Sequence, residues 1–136
     1  MGLTLQVDEE QDGYGYVLRV WNERFTATTE LDVSALQLRQ FAGCIAGFPV
    51  KPGDERSFVL GAQGTANWGG YCSLHFRSTA SSGQTLVDVS LEANQRDVST
   101  ARAKAEFSIP VEAAAIDRFV RALHGMAEGW TNKAGW

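Results

Sequence analysis

The sequence predicts an α+β fold in which an antiparallel sheet of about six to seven strands packs one face against two helices. Segments 86–92 and 101–109 alternate strictly, with small or apolar side chains at every second position, as in half-buried strands. After Pro110, apolar residues recur every three to four positions, which is the spacing of one helix face. A sheet with one apolar face needs a cover, so we expect this helix to pack on the hairpin.

Alternation also predicts three strands at the start of the chain, at 3–7, 14–21 and 25–31. An acidic turn at 8–13 separates the first two, and the short loop 22–24 is of hairpin length. We therefore expect the three strands to pair as neighbours. In the second strand, Tyr16, Leu18 and Val20 share one face, and Val17, Arg19 and Trp21 share the other.

A helix follows, for which either Asp32 or Ser34 supplies the N-cap oxygen. Gly47 and Pro49 are expected to end it, because glycine adopts the left-handed closing conformation and proline cannot continue the helix. Two further strands are predicted at 57–60 and 71–78, joined by a glycine-rich loop at 61–70. The apolar stripe of the helix comprises Leu38, Phe41, Ala42, Ile45 and Phe48.

Composition limits the classes of protein to consider. The chain of 136 residues, with 44% hydrophobic and 21% charged residues, is expected to form one domain, 1–136. Its net charge of −4 and 12 scattered basic residues disfavour a nucleic-acid partner. No apolar stretch is long enough to span a membrane and no leader is evident, so we expect a cytoplasmic protein. Cys44 and Cys72 lie in apolar settings and are interpreted as reduced core thiols rather than a disulfide.

The sequence predicts no enzyme, cofactor or metal site. His75 and His124 have no neighbouring motif that places a nucleophile or a zinc ligand beside them. Asp88 and Glu92 share a strand face, but we interpret them as cross-strand partners of the basic residues Arg102 and Lys104. The polar side chains of the hairpin are therefore assigned to sheet stability.

The loop 61–70 contains the most distinctive candidate for binding. It matches neither a phosphate loop nor a dinucleotide fingerprint. Trp68 stands between Asn67 and two glycines, so its indole either folds onto an edge of the core or serves as a contact anchor. The candidate binding residues are Trp68, Asn67, Tyr71 and Trp21.

Three features resemble a family of small, mostly uncharacterised bacterial proteins, some of which are suggested to be immunity proteins of polymorphic toxin systems. They are Leu38-Arg-Gln-Phe41 with Ile45, the alternation from Leu86 to Leu91, and Phe107-Ser-Ile109 followed by Ile116-Asp-Arg-Phe119. They are spread over residues 38–119 of the chain. The resemblance implies a protein that binds a partner protein and occludes its site, and it implies no active residue.

We therefore expect a non-catalytic protein-binding module, and an immunity-type inhibitor of a basic toxin is the specific form considered. The binding surface would be the exposed sheet face or the Trp68 loop, and the acidity of the chain would steer a basic partner. The alternative is a small-molecule-binding protein with an aromatic site near Trp68, and an enzyme of unrecognised type is a third hypothesis. A homodimer through an uncovered strand edge is compatible with each of them.

Overall fold

The computed structural model describes residues 1–8, 15–61, 69–79, 83–93 and 103–136. Within them the chain forms two helices and eight strands in antiparallel sheets, which confirms the α+β prediction. The helices are α1 (Ala35–Ile45) and α2 (Ala113–Ala127). The strands are β1 (Gly2–Val7), β2 (Gly15–Trp21), β3 (Thr26–Asp32), β4 (Glu55–Gly61), β5 (Tyr71–Ser78), β6 (Thr85–Glu92), β7 (Lys104–Pro110) and β8 (Lys133–Gly135).

The strands form two sheets of four rather than the expected single sheet of about six to seven. The first sheet has the order β3-β2-β1-β8, and the second has the order β4-β5-β6-β7. β8 could not be predicted from the sequence, because three residues are too short to show alternation. Beside it, the backbone N–H of Trp136 donates to the Leu3 carbonyl at 2.9 Å, and the Leu3 N–H donates to the Trp136 carbonyl at 3.0 Å.

The two sheets meet where β3 passes the ends of β4, β5 and β6. The Gly70 N–H donates to the Glu30 carbonyl at 2.6 Å, and the Thr29 hydroxyl donates to the Glu92 carbonyl at 2.9 Å. A Cβ at Gly70 would clash with the Thr29 hydroxyl oxygen and would lie 2.7 Å from the Glu92 carbonyl oxygen. The backbones approach this closely because residue 70 has no side chain.

Both helices pack against the inner faces of the sheets around a cluster of aromatic rings. The Phe41 ring of α1 stacks on Phe58 at 5.0 Å between centroids and meets Phe119 of α2 edge-on at 5.6 Å. Phe119 in turn contacts the Trp136 ring at 4.9 Å. Of the residues predicted to form the two apolar stripes, Val120 is half-buried and Phe48 lies beyond the end of α1. The buried ones are Leu38, Phe41, Ala42, Ile45, Phe48, Ile116, Phe119, Leu123 and Met126.

Local sequence explains the bounds of α1. The Ser34 side chain accepts a hydrogen bond from the Gln37 N–H, and the Gln37 side chain accepts one from the Ser34 N–H. This reciprocal capping box makes Ser34, and not Asp32, the N-cap. Gly47 has a φ of 74°, the left-handed conformation expected after the helix.

Both cysteines are free thiols, as predicted. Cys72 is buried on β5, and burial raises its pKa to about 12. Cys44 is partly exposed on α1, where its thiol donates to the Ser57 carbonyl at 3.4 Å.

Among the helices of the described residues, none has the length and apolar content that crossing a bilayer requires.

Candidate binding surface

The outward side of the second sheet is covered by neither helix and forms the candidate site. Inward residues such as Leu74 and Val89 are buried, so their strand neighbours face outward. We call this surface the polar sheet face. Its side chains, taken from the strand registers, are Glu55, Ser57, Val59, Tyr71, Ser73, His75, Arg77, Leu86, Asp88, Ser90, Glu92, Lys104, Glu106, Ser108 and Pro110.

Asp88 is the centre of a charged cluster on this face. Its carboxylate accepts hydrogen bonds from Arg77 Nε at 2.8 Å and from the Ser108 hydroxyl at 2.5 Å. Burial on its own would raise the Asp88 pKa, but the hydrogen bonds from Arg77 and Ser108 and the Arg77 charge outweigh it and lower that pKa. The hydrogen bond to Asp88, together with the charge of that carboxylate, correspondingly raises the pKa of Arg77. These contacts hold the carboxylate in its charged form.

Glu106 and Lys104 form a second pair on β7, with 3.1 Å between Lys104 Nζ and Glu106 Oε1. The hydrogen bond and the charge of Lys104 lower the pKa of Glu106. Lys104 stands opposite Glu92 in the strand register, as the sequence interpretation expected. Asp88 was expected to pair with the basic residues of the last strand, but its carboxylate pairs with Arg77 of β5. Arg102 lies outside the described residues.

His75 stands between Ser57 and Asp88 in the register, an order that invites comparison with a catalytic triad. Its Nδ1 lies 3.9 Å from Asp88 Oδ2, and its Nε2 lies 3.7 Å from Glu55 Oε2. Both distances are too long for hydrogen bonds, and the side chain is 39% exposed. A nucleophile needs a base within hydrogen-bond reach. The geometry is therefore that of polar side chains near one another on an open surface, around a depression of about 390 Å³.

The turn between β2 and β3 borders the polar sheet face along β7. The Asn22 side-chain amide donates to the Ser108 carbonyl at 3.5 Å. This hydrogen bond occupies part of the outer edge of β7, the last strand of its sheet. Next to it, Phe25 is 62% exposed, and its ring centroid lies 6.4 Å from that of Phe107. An exposed aromatic ring beside a charged surface has the character of an interface anchor. From the sequence, Phe25 was predicted to be a strand residue and was not among the candidate binding residues.

The predicted binding residues fall into three locations. Trp21 is on the outward face of the first sheet, where the Arg19 guanidinium carbon lies 4.9 Å from the centroid of its ring. Tyr71 begins β5 in the second sheet and stands opposite Glu92. Asn67 and Trp68 lie outside the described residues. The aromatic site near Trp68 therefore stays a prediction, and Trp21 and Tyr71 belong to different sheets.

Trp21 has a local structural explanation. A Cβ at Gly2, which is opposite Trp21 in the register, would lie 2.9 Å from Cζ2 of the indole. The missing side chain thus leaves room for the ring on the sheet surface, and the Arg19 guanidinium lies over the ring. These contacts explain how a large aromatic residue is held on an outward face.

Comparison of the chain with protein-family models, with curated proteins and with solved structures found no match. A function must therefore be argued from the surface itself, and the resemblance to immunity proteins stays a hypothesis.

Proposed function

We propose that this chain is a non-catalytic protein-binding module that uses the polar sheet face to bind a basic partner protein. The observation that carries the proposal is an open sheet face with an excess of carboxylates. Among the residues that the structure describes, four carboxylates, Glu55, Asp88, Glu92 and Glu106, share it with the basic side chains of Arg77 and Lys104. Such a face attracts a positively charged surface and repels an acidic one, which gives both steering and selectivity.

The construction of the face suits recognition. The backbone of four paired strands fixes the spacing of the charges, and the contacts of Asp88 with Arg77 and Ser108 fix the orientation of its carboxylate. Little conformational entropy is then lost when a partner docks. Phe25 at the border and Val59 on the face add exposed apolar side chains to a surface that is otherwise largely polar.

In its most specific form, the proposal is an immunity-type inhibitor that acts in the bacterial cytoplasm by covering the site of a basic toxin. The resemblance noted in the sequence implies this form, and an acidic face suits it physically. The function needs no cofactor or metal. In this proposal its mechanism is occlusion of the partner's site by the polar sheet face.

The experiment is affinity capture with the tagged chain, followed by measurement of the dissociation constant for the protein identified. Glu106→Lys reverses a charge on the polar sheet face, and Asp117→Lys makes the same change at an exposed position of α2. We expect Glu106→Lys to weaken binding about tenfold at low salt and Asp117→Lys to leave it nearly unchanged.

Added salt should reduce the affinity of the unmodified chain more than that of Glu106→Lys. Salt screens the attraction between opposite charges, and the variant has less of that attraction to lose. An equal loss of affinity in Glu106→Lys and Asp117→Lys would refute the assignment of the polar sheet face as the binding surface. Failure to recover any partner from extracts of the native organism would count against protein binding itself.

A further inference from the structure

A cavity of about 710 Å³ lies beyond one end of the polar sheet face, where β6 begins, β7 ends and α2 starts. Its wall is largely apolar and includes Pro49, Pro110, Val111, Ala115 and the Trp136 indole. A volume of this size suits a small organic molecule, and apolar walls with a few polar groups are typical of ligand pockets. Neither the Trp68 loop nor the polar sheet face uses these residues, apart from Pro110 at their common border.

Two residues that line this cavity each carry a polar group without a partner in the described structure. The Trp136 Nε1–H is buried, yet no described residue accepts its hydrogen bond. A buried donor without an acceptor is costly, by about 1 to 3 kcal/mol. Arg118 is exposed on the cavity rim and makes no ion pair or hydrogen bond with a described residue. The Nε1 atom is covered and is not reached from the open cavity, whereas a negative charge would complement the exposed Arg118 guanidinium.

Glu112 also borders the cavity and limits the charge that can be accommodated. It is the N-cap of α2, but its side chain makes no capping hydrogen bond. One carboxylate on the rim opposes a multiply charged anion, because like charges repel. A molecule with one acidic group beside Arg118 and an apolar body against the wall satisfies both constraints.

We propose that this cavity binds a small apolar monocarboxylic acid, with its carboxylate beside Arg118 and its apolar part against Trp136. The site is independent of partner binding at the polar sheet face. It also differs from the predicted aromatic site near Trp68.

The probes are phenylacetate, its neutral analogue phenylacetamide and the cationic analogue phenethylamine, which share one apolar body. Each is titrated into ¹⁵N-labelled protein while the indole N–H resonance of Trp136 is followed. The Trp136→Phe variant, which keeps an aromatic ring and removes the N–H, assigns that resonance. We expect phenylacetate to shift it saturably, phenylacetamide to bind about two- to fivefold more weakly, as for loss of one exposed ion pair, and phenethylamine to bind more weakly still.

Variants separate the contributions of charge and space. Arg118→Gln should reduce the phenylacetate affinity to that of phenylacetamide and leave the amide unaffected, whereas Glu112→Gln should strengthen phenylacetate binding. Ala113→Phe, at an exposed position lining the cavity, should block it, while Ala114→Phe at the next exposed position should not. Circular dichroism shows whether each variant is folded.

Several results would overturn the proposal. They are no shift of the Trp136 resonance with phenylacetate, equal affinity for the acid and the amide, or the same loss from Ala113→Phe and Ala114→Phe. Binding that weakens in Glu112→Gln but not in Arg118→Gln would point to a cationic ligand and would equally refute it.

Discussion

Replacing Gly70 with alanine should destabilise the junction between the two sheets. The added methyl group would clash with the Thr29 hydroxyl oxygen and would lie 2.7 Å from the Glu92 carbonyl oxygen and 2.8 Å from the Glu30 carbonyl oxygen. Two of these three neighbours are backbone atoms, which cannot rotate away as the end of a flexible side chain can. The strands must therefore separate to make room.

The size of the effect follows from what this separation disrupts. Overpacking in a close-packed region costs about 1 to 3 kcal/mol. The Gly70 to Glu30 and Thr29 to Glu92 hydrogen bonds would lengthen, and each contributes about 0.5 to 1.5 kcal/mol net. Because these effects overlap, we expect Gly70→Ala to lower the free energy of unfolding by about 2 to 4 kcal/mol, with a fall in Tm of roughly 10 °C.

The assay is urea unfolding of the unmodified chain and the variant, followed by tryptophan fluorescence and by circular dichroism. Gly43→Ala is the matched control, because Gly43 is exposed within α1 and a Cβ there meets no atom within 4 Å. The control should gain about 0.5 to 1 kcal/mol from the helix propensity of alanine. A loss below about 0.5 kcal/mol in Gly70→Ala would show that the junction is not tightly packed and would refute the reasoning.

Three further predictions concern single side chains. Asp88→Asn should reduce stability by no more than about 1 kcal/mol near neutral pH, since the ion pair is exposed. The fold lowers the Asp88 pKa from 3.8. The difference in the free energy of unfolding between the unmodified chain and the variant should therefore have its full size above pH 3.8 and shrink as the pH falls through the lowered pKa. Urea unfolding from pH 2 to 7 measures it, and a constant gap would contradict the argument. Trp136→Ala should cost about 3 kcal/mol by removing the ring from its contact with Phe119, and thermal unfolding that is unchanged would show the packing to be unimportant. Iodoacetamide at pH 8 should modify Cys44 and spare Cys72, whose thiol is buried with a pKa near 12, and mass spectrometry that finds Cys72 labelled in the native protein would refute that contrast.

Much of the secondary structure could be predicted because its signals are local. The alternation around Val87 and Val89 describes a strand with one buried face, whatever it packs against, and both residues are buried. The spacing of Ile116, Phe119 and Leu123 likewise requires one apolar helix face, and all three are fully buried. Periodicity decides which side of an element avoids water, and it needs no knowledge of the rest of the fold.

The candidate site could be predicted less well. The sequence analysis recognised an open sheet face, but it paired Asp88 with the last strand of the hairpin rather than with Arg77. Arg77 belongs to β5, and its position opposite Leu86, diagonal to Asp88, depends on the register between β5 and β6. The two strands are joined by a turn whose length did not specify that register. An exposed aromatic ring at Phe25 and an unpartnered indole N–H at Trp136 are likewise products of packing.

By itself, then, the sequence determined the class of fold, the helices and the inward faces of the strands, because hydrophobic periodicity acts along the chain. Only the tertiary structure decided that the strands divide into two sheets, that β8 returns to β1 and that a cavity opens beside Trp136. Those outcomes depend on contacts between residues far apart in the chain. Close backbone approach at Gly70 and edge-on ring packing at Phe119 are examples, and no local pattern encodes the distance between two such partners.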